Sequence, residues 1–438
     1  MSWKKVKLGD LLEYYSVRAK DVGSSTDLEF CGVSKEDGIT ISKYAAEDKA
    51  EEYKVIEKGC FAYNPYRINV GSIALMQEDK KGLISPAYVL FKPKPNSIIP
   101  KLLLKYLKSA EGLRQIKQNA RGTVRQALRF EDLCKIEITL PKYEEQLELY
   151  NNLELTQNKC DSLNLEYKNQ LDLLKKLRQQ ILQDAVQGKL VPQDPNDEPA
   201  SVLLERIKAE KEKLVREKKI KKEKPLPPIK PKEIPFEIPE NWVWCRGDEI
   251  AEFIDPQPSH RTPPEVLKGI PYISMKDISI EGQINFNSAR KVSPTILKEH
   301  NARYTLKEGD FIFGKIGTIG KPVWLITPFD YTLSANLILI QGNREVVNVR
   351  FLFYFLSSPI AEKHLYENKS EMSYPVFGMK KARLMPVPIP PYEEQHRIVT
   401  KTDHLLTLCD ELEQSIKQNQ KYTQELLQVA LKEALEPK

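Results

Sequence analysis

The chain has 438 residues, 41% hydrophobic and 29% charged, with a net charge of +6, which fits two or three globular domains plus a charged helical component. It contains no apolar run of about 18 residues for a membrane span, and Met1-Ser2-Trp3-Lys4-Lys5-Val6-Lys7 lacks the apolar stretch of a signal peptide. Cys31, Cys60, Cys134, Cys160, Cys245 and Cys409 form no Cys-x-x-Cys pair, so a disulfide or zinc framework is not expected and buried thiols in a reducing cytoplasm are.

The charge is unevenly divided. Residues 1–142 carry +7, 143–205 carry −6, 206–232 carry +8 and 233–238 carry −2, while 239–391 carry +2 and 392–438 carry −3. A polyanion would therefore meet the globular parts. The acidic helical tails would be repelled by it and would sooner meet protein.

Residues 1–142 show short β-type runs, such as Glu29-Phe30-Cys31-Gly32-Val33 and Ala87-Tyr88-Val89-Leu90-Phe91, punctuated by glycines and prolines. Leu102 to Leu113 fits one helix, so this part reads as a mixed α+β domain. At 140–146 the sequence is Leu-Pro-Lys-Tyr-Glu-Glu-Gln, and at 389–395 it is Ile-Pro-Pro-Tyr-Glu-Glu-Gln. The offset of 249 continues without a gap, placing Cys160 on Cys409 and Leu163 on Leu412. Such repetition makes two similar halves, each ending in a helix.

The central helix is expected over 143–190. Leu153, Cys160, Tyr167, Leu174 and Ile181 recur every seven residues, with Leu163 and Leu177 three further on. Leu405, Cys409, Leu412, Ile416 and Leu426 are the corresponding candidates in the C-terminal helix, 392–438. This pattern predicts an antiparallel coiled-coil-like pair, with Gln170 and Asn419 as polar breaks in the seam. A lone surface helix is the alternative. Residues 191–238 follow as a short helix from Ala200 to about Lys219 and a basic, proline-rich linker. That linker reads as a mobile solvated spacer or as an arm on a DNA backbone. Residues 239–391 then repeat the plan of the first half. Glu308-Gly309-Asp310-Phe311-Ile312-Phe313 echoes the stretch from Glu57 to Tyr63.

Catalytic signatures fail. Asn64-Pro65-Tyr66 lacks one proline of the adenine-binding loop of amino-methyltransferases, and Pro390-Pro391-Tyr392 is preceded by Ile389, which cannot accept the amino hydrogen bond. The stretch from Gly314 to Lys321 lacks the glycine, and the Ser or Thr, that a Walker A loop needs. What remains has the chemistry of nucleic-acid contact. In the first half the candidates are Tyr63, Asn64, Arg67, Asn69, Ser72, Arg121, Thr123, Arg125 and Gln126. In the second they are Lys276, Lys315, Thr318, Lys321, Asn336, Ser373, Tyr374, Lys380 and Lys381. Arg reads guanine and Asn or Gln adenine through paired hydrogen bonds, while Ser, Thr and Lys hold phosphates. Any one of these is equally readable as a turn or surface residue. Their recurrence in glycine-flanked loops of both halves favours the loops as sets.

Together these motifs resemble the specificity subunit of a type I restriction-modification system over essentially the whole length. The two Pro-x-Tyr-Glu-Glu-Gln helix starts, the segment from Gly188 to Ala200, and the loops at 63–72 and 309–321 carry the resemblance. It implies two mixed α/β target-recognition domains, 1–142 and 239–391, reading the halves of a split site in double-stranded DNA. It implies two spacer helices that carry two methyltransferase subunits, with restriction subunits completing the complex. It also implies a non-catalytic chain, with S-adenosylmethionine, ATP and Mg on the partners. A fused methyltransferase or nuclease, or a coiled-coil scaffold with no DNA role, would be the competing readings.

Overall fold

The computed structural model describes residues 3–22, 28–42, 47–122, 126–218, 225–370 and 375–435. They divide into two units. The first comprises Met1–Asn169 with Ile416–Lys438, the second Gln170–Ser415. Each unit therefore takes part of both 44-residue helices, Tyr143–Val186 and Tyr392–Leu435. At about 1.5 Å per residue each helix is about 66 Å long.

In the first unit an antiparallel sheet runs in the order Leu12–Tyr14, Val89–Pro93, Phe61–Tyr63, Ile73–Leu75. A second sheet, Gly38–Ile41, Glu29–Ser34, Gly82–Ile84, Lys54–Ile56, contains one parallel pair. The second unit repeats the first arrangement with Ala251–Ile254, Leu337–Gly342, Phe311–Gly314 and Gly320–Trp324. Arg290–Val292, Ile270–Ile273 and Thr332–Leu333 repeat the second, again with one parallel pair. The inner strands Phe61–Tyr63 and Phe311–Gly314 are buried at every position, because neighbours flank both edges and core covers the faces. That explains their unbroken apolar sequence.

A two-stranded ribbon closes each unit and runs straight into its helix: Lys4–Lys7 with Glu137–Leu140, and Val243–Arg246 with Pro386–Ile389. The glutamine of the repeated motif locks this junction. Gln146 accepts from the backbone N–H of Ile99 at 3.0 Å and donates to the carbonyls of Ser97 and Pro141 at 3.4 and 3.3 Å. Gln395, fully buried, makes the same three bonds to Asn348, Val346 and Pro390 at 2.6, 3.1 and 3.0 Å. Ile99 and Asn348 cap the helices Pro100–Lys108 and Val349–Ser357, so one side chain satisfies backbone groups that helix geometry leaves open.

The long helices run antiparallel in both units. In the first, Cys160 and Tyr167 meet Thr423, whose hydroxyl lies 3.2 Å from the Tyr167 hydroxyl. Earlier along the central helix, Leu149 and Leu153 share a core cluster with Leu431. In the second unit Arg178 reaches Asp410 at 2.6 Å and Glu413 at 3.0 Å, and Ala185 and Val186 share a core with Leu406. The seven-residue series Leu153, Cys160, Leu174 and Ile181 is buried, with Tyr167 half-buried. On the C-terminal helix the same register is taken by Thr402, Cys409 and Thr423, all buried, and by half-buried Ile416. Leu405 is half-buried beside it.

The expected second stripe, three residues further on, is overturned. Leu163, Leu177, Leu412 and Leu426 are exposed by 44 to 60%, and Asn419 is exposed too. The half-covered positions instead lie four residues after the first series, at Gln157, Asn164, Leu171 and Arg178. Those positions are mostly polar, so hydrophobic spacing alone misplaces the stripe.

The short helix forms over Ala200–Arg216, starting where expected, and the segment after it is more firmly held than its composition suggests. Ala200, Leu203, Leu204 and Ile207 enter the second unit's core beside Trp242. Residues 219–224 lie outside those described, but the proline-rich stretch beyond them is held down. Buried Arg246 donates to the carbonyls of Pro227, Pro228 and Leu384 at 3.1, 2.9 and 2.6 Å and to the Glu233 carboxylate at 2.8 and 3.1 Å. The Arg246 hydrogen bond drives the Glu233 carboxyl down to about 2. A fully used guanidinium fork fixes the proline-rich stretch around Pro227, Pro228 and Glu233, where composition alone suggested a mobile spacer or a DNA-backbone arm.

Candidate nucleic-acid interface

Each unit presents a polar loop after its buried inner strand. In the first, Asn64 turns the chain: its side-chain oxygen accepts from the Tyr66 N–H at 2.9 Å, and its carbonyl from Arg67 and Ile68 at 3.0 and 3.1 Å. A short helical turn, Ile68–Val70, ends at Gly71, whose φ of +87° suits a residue without Cβ. This geometry spends Asn64 on shaping the loop and leaves Tyr66 and Arg67 projecting into solvent. Asn69 is half-buried, with its side-chain oxygen enclosed and without a hydrogen-bond partner among the described residues.

Tyr63 and Ser72 are not contacts for a ligand. Tyr63 is fully buried against Phe91, with ring centroids 6.2 Å apart, and Ser72 is buried as well. Both flank the loop on strand or core positions, which their polar groups alone do not reveal.

The second polar stretch of the first half packs onto this loop. Arg121 and Ala127 exchange backbone hydrogen bonds, and the Leu128 N–H donates to the Pro65 carbonyl at 3.0 Å. Arg121 is exposed but lies 2.6 Å from Asp132. Burial opposes ionisation of Asp132, yet Lys135's hydrogen bond and Arg121's charge outweigh it and hold the carboxyl below its ordinary value. Gln126 and Arg129 are exposed. Thr123 and Arg125 lie outside the described residues.

The second unit joins its loops by the same device. The Phe377 N–H donates to the Lys315 carbonyl at 2.8 Å, which matches the bond from Leu128 to Pro65 to within one residue of the repeat, and Gly317 N–H donates to Pro375 at 3.1 Å. Lys315 itself is buried, with its ammonium 2.6 Å from Asp255. It forms a buried ion pair, because Asp255 compensates the burial of its charge, so it is less open to a phosphate than its position in the loop suggests. Thr318, Asn336, Lys276 and Lys380 are exposed. Lys321, in left-handed backbone at φ +58°, donates to the Ser279 carbonyl at 3.1 Å, and exposed Lys381 to Asn368 at 2.6 Å. Ser373 and Tyr374 lie outside the described residues.

Behind these loops sits a polar network that no motif announced. Buried His300 meets Gln257 at 2.6 Å and the Tyr304 hydroxyl at 3.1 Å, and Gln257 in turn holds Ser259 and Arg261 at 3.0 and 3.1 Å. Burial, with Arg303's charge, pushes the imidazole down to about 4, so it serves as a neutral strut. Tyr66 and Arg129 are exposed near Arg67 and Gln126 in the two loops that the Pro65–Leu128 bond joins.

A family model described as the type I restriction modification DNA specificity domain matches residues 1–173 and 239–420. The type I restriction enzyme EcoAI specificity subunit of Escherichia coli is 35% identical over 264 residues, covering 59% of this chain and 44% of that protein. The chain therefore spans less than half the length of that relative. The EcoDI specificity subunit of the same organism is 24% identical over 421 residues, covering 95% and 84%. A solved structure described as the structural basis underlying complex assembly and conformational transition of the type I R-M system has the same fold. Its TM-score is 0.62 at 18% identity, over 99% of this chain and 97% of that one.

Proposed function

We propose, because the chain belongs to the family of type I restriction modification DNA specificity domains, that it selects a two-part DNA site for a restriction-modification complex. The observation that carries this reading is the matched construction of the loops. In both units a backbone hydrogen bond, matched to within one residue of the repeat, joins two polar loops into one presented set. Residues 1–142 and 239–391 are then the two readers. Arg67, Gln126 and Thr318, with Tyr66 and Asn336, are the side chains placed to meet base edges or backbone. Lys276, Lys321, Lys380 and Lys381 supply positive charge for phosphates.

The paired helices hold the readers and present exposed leucines, Leu163, Leu177, Leu412 and Leu426 among them, to two methyltransferase subunits; restriction subunits complete the assembly. The chain performs no chemistry of its own. S-adenosylmethionine, ATP and Mg are bound by the partners, and the assembly works in the cytoplasm.

The test is selection of bound fragments from random DNA by the chain purified with its methyltransferase partner. The expected result is two short defined sequences separated by a spacer of fixed length. Fragments with no common sequence would overturn the proposal.

A further inference from the structure

The second unit has a further segment at the same end of its sheet as the loop that presents Thr318. Strands Ala251–Ile254 and Phe311–Gly314 both run antiparallel to Leu337–Gly342, so they run parallel to each other and their C-terminal ends lie together. The ion pair of Asp255 with Lys315, at 2.6 Å, ties the chain leaving the first strand to the loop leaving the second. Residues 255–263 therefore stand beside that loop.

This segment is pinned from behind. The Gln257 N–H donates to the Asp255 carboxylate at 3.1 Å, and the His260 N–H donates to the Gln257 carbonyl at 3.0 Å. Buried Gln257, braced by His300 at 2.6 Å, donates its amide to the Ser259 hydroxyl at 3.0 Å and to the carbonyl of Arg261 at 3.1 Å. Arg290 holds the Pro263 carbonyl at 3.2 Å. These bonds keep His260 in left-handed backbone, at φ +51°, which a residue with a Cβ adopts only where its surroundings impose it.

What this frame presents is Arg261. Its side chain is exposed and makes no hydrogen bond or ion pair among the described residues. The seven other arginines between 239 and 397 each reach a carboxylate or a backbone carbonyl, as Arg350 reaches Asp403 and Arg383 the Phe253 carbonyl. A free guanidinium on a fixed backbone has less freedom to lose on binding. Its planar fork matches the O6 and N7 acceptors of guanine, whereas a phosphate is served as well by the flexible lysines nearby.

We infer that Arg261 is a specificity-determining residue that takes a guanine in the half-site read by residues 239–391. This rests on the DNA-reading function proposed above.

The test is the binding selection from random DNA, run with the chain and its methyltransferase partner for the parent, Arg261→Ala and Arg67→Ala. Arg261→Ala should relax preference at one G·C pair, in the half-site that Arg67→Ala leaves intact, and weaken binding to the parent site about ten- to hundredfold. Because the Arg261 side chain is exposed, circular dichroism should be unchanged. Arg261→Lys keeps the charge but not the fork, and should recover only part of the preference. A parent motif left unchanged by Arg261→Ala overturns this inference alone. So does an equal loss of affinity for all sequences, or full recovery by Arg261→Lys, since either marks a phosphate contact. A parent chain that selects no common sequence overturns the proposed function and this inference with it.

Discussion

Replacing Gln395 by alanine tests the junction on which both halves are built. The side chain is fully buried and serves three backbone groups at 2.6, 3.1 and 3.0 Å. Truncation leaves the Asn348 N–H and the Val346 and Pro390 carbonyls without that partner. Each buried unsatisfied group costs about 1–3 kcal/mol, and some water will enter the space, so a loss of about 3–5 kcal/mol is expected. Gln146→Ala should cost less, about 1–3 kcal/mol, since two of its bonds are stretched to 3.3 and 3.4 Å. Urea unfolding followed by tryptophan fluorescence suits the comparison, because Trp242, Trp244 and Trp324 report the second unit and Trp3 the first. A loss below about 1 kcal/mol for Gln395→Ala, or a larger loss for Gln146→Ala, would refute the reasoning.

Buried His300 has a folded value near 4 against an ordinary 6.5. Its contribution is therefore whole above about pH 6.5 and is lost as pH falls toward 4, by at most about 1.4 kcal/mol per pH unit. His364, also pushed down by burial, adds to the same trend, so His300→Gln should flatten the pH dependence of the urea midpoint without abolishing it. Leu174→Asp should unfold the helix pair, whereas Leu426→Asp, at an exposed position, should leave folding intact and impair capture of the methyltransferase subunit. Circular dichroism and co-purification separate these outcomes. Arg67→Ala should cost about 1–3 kcal/mol of DNA affinity and relax preference at one half-site only. Equal relaxation at both half-sites in a binding selection would count against it.

The sequence made the large features legible because each leaves a periodic or repeated trace. The 249-residue offset announced two like halves, and the seven-residue series from Leu153 to Ile181 announced a helix seam. The second stripe was misread because its true occupants, such as Gln157 and Arg178, are polar and leave no hydrophobic period. Tyr63 and Lys315 show the limit at the interface. Each sits in a motif rich in ligand-binding chemistry, yet a strand end buries one and Asp255 neutralises the other. Side-chain type tells what a residue could bind; only the neighbouring backbone tells whether it is free to. Arg246 failed the other way, since a charged residue at the end of a strand gave no hint that it anchors Pro227, Pro228 and Glu233.

The reading of a split DNA site is tested most directly by sequencing modified adenines in cells that express this chain with its methyltransferase partner. The account predicts N6-methyladenine at one two-part motif with a constant spacer, lost when the chain is omitted. Methylation at a continuous motif, or at no motif that depends on this chain, would contradict it.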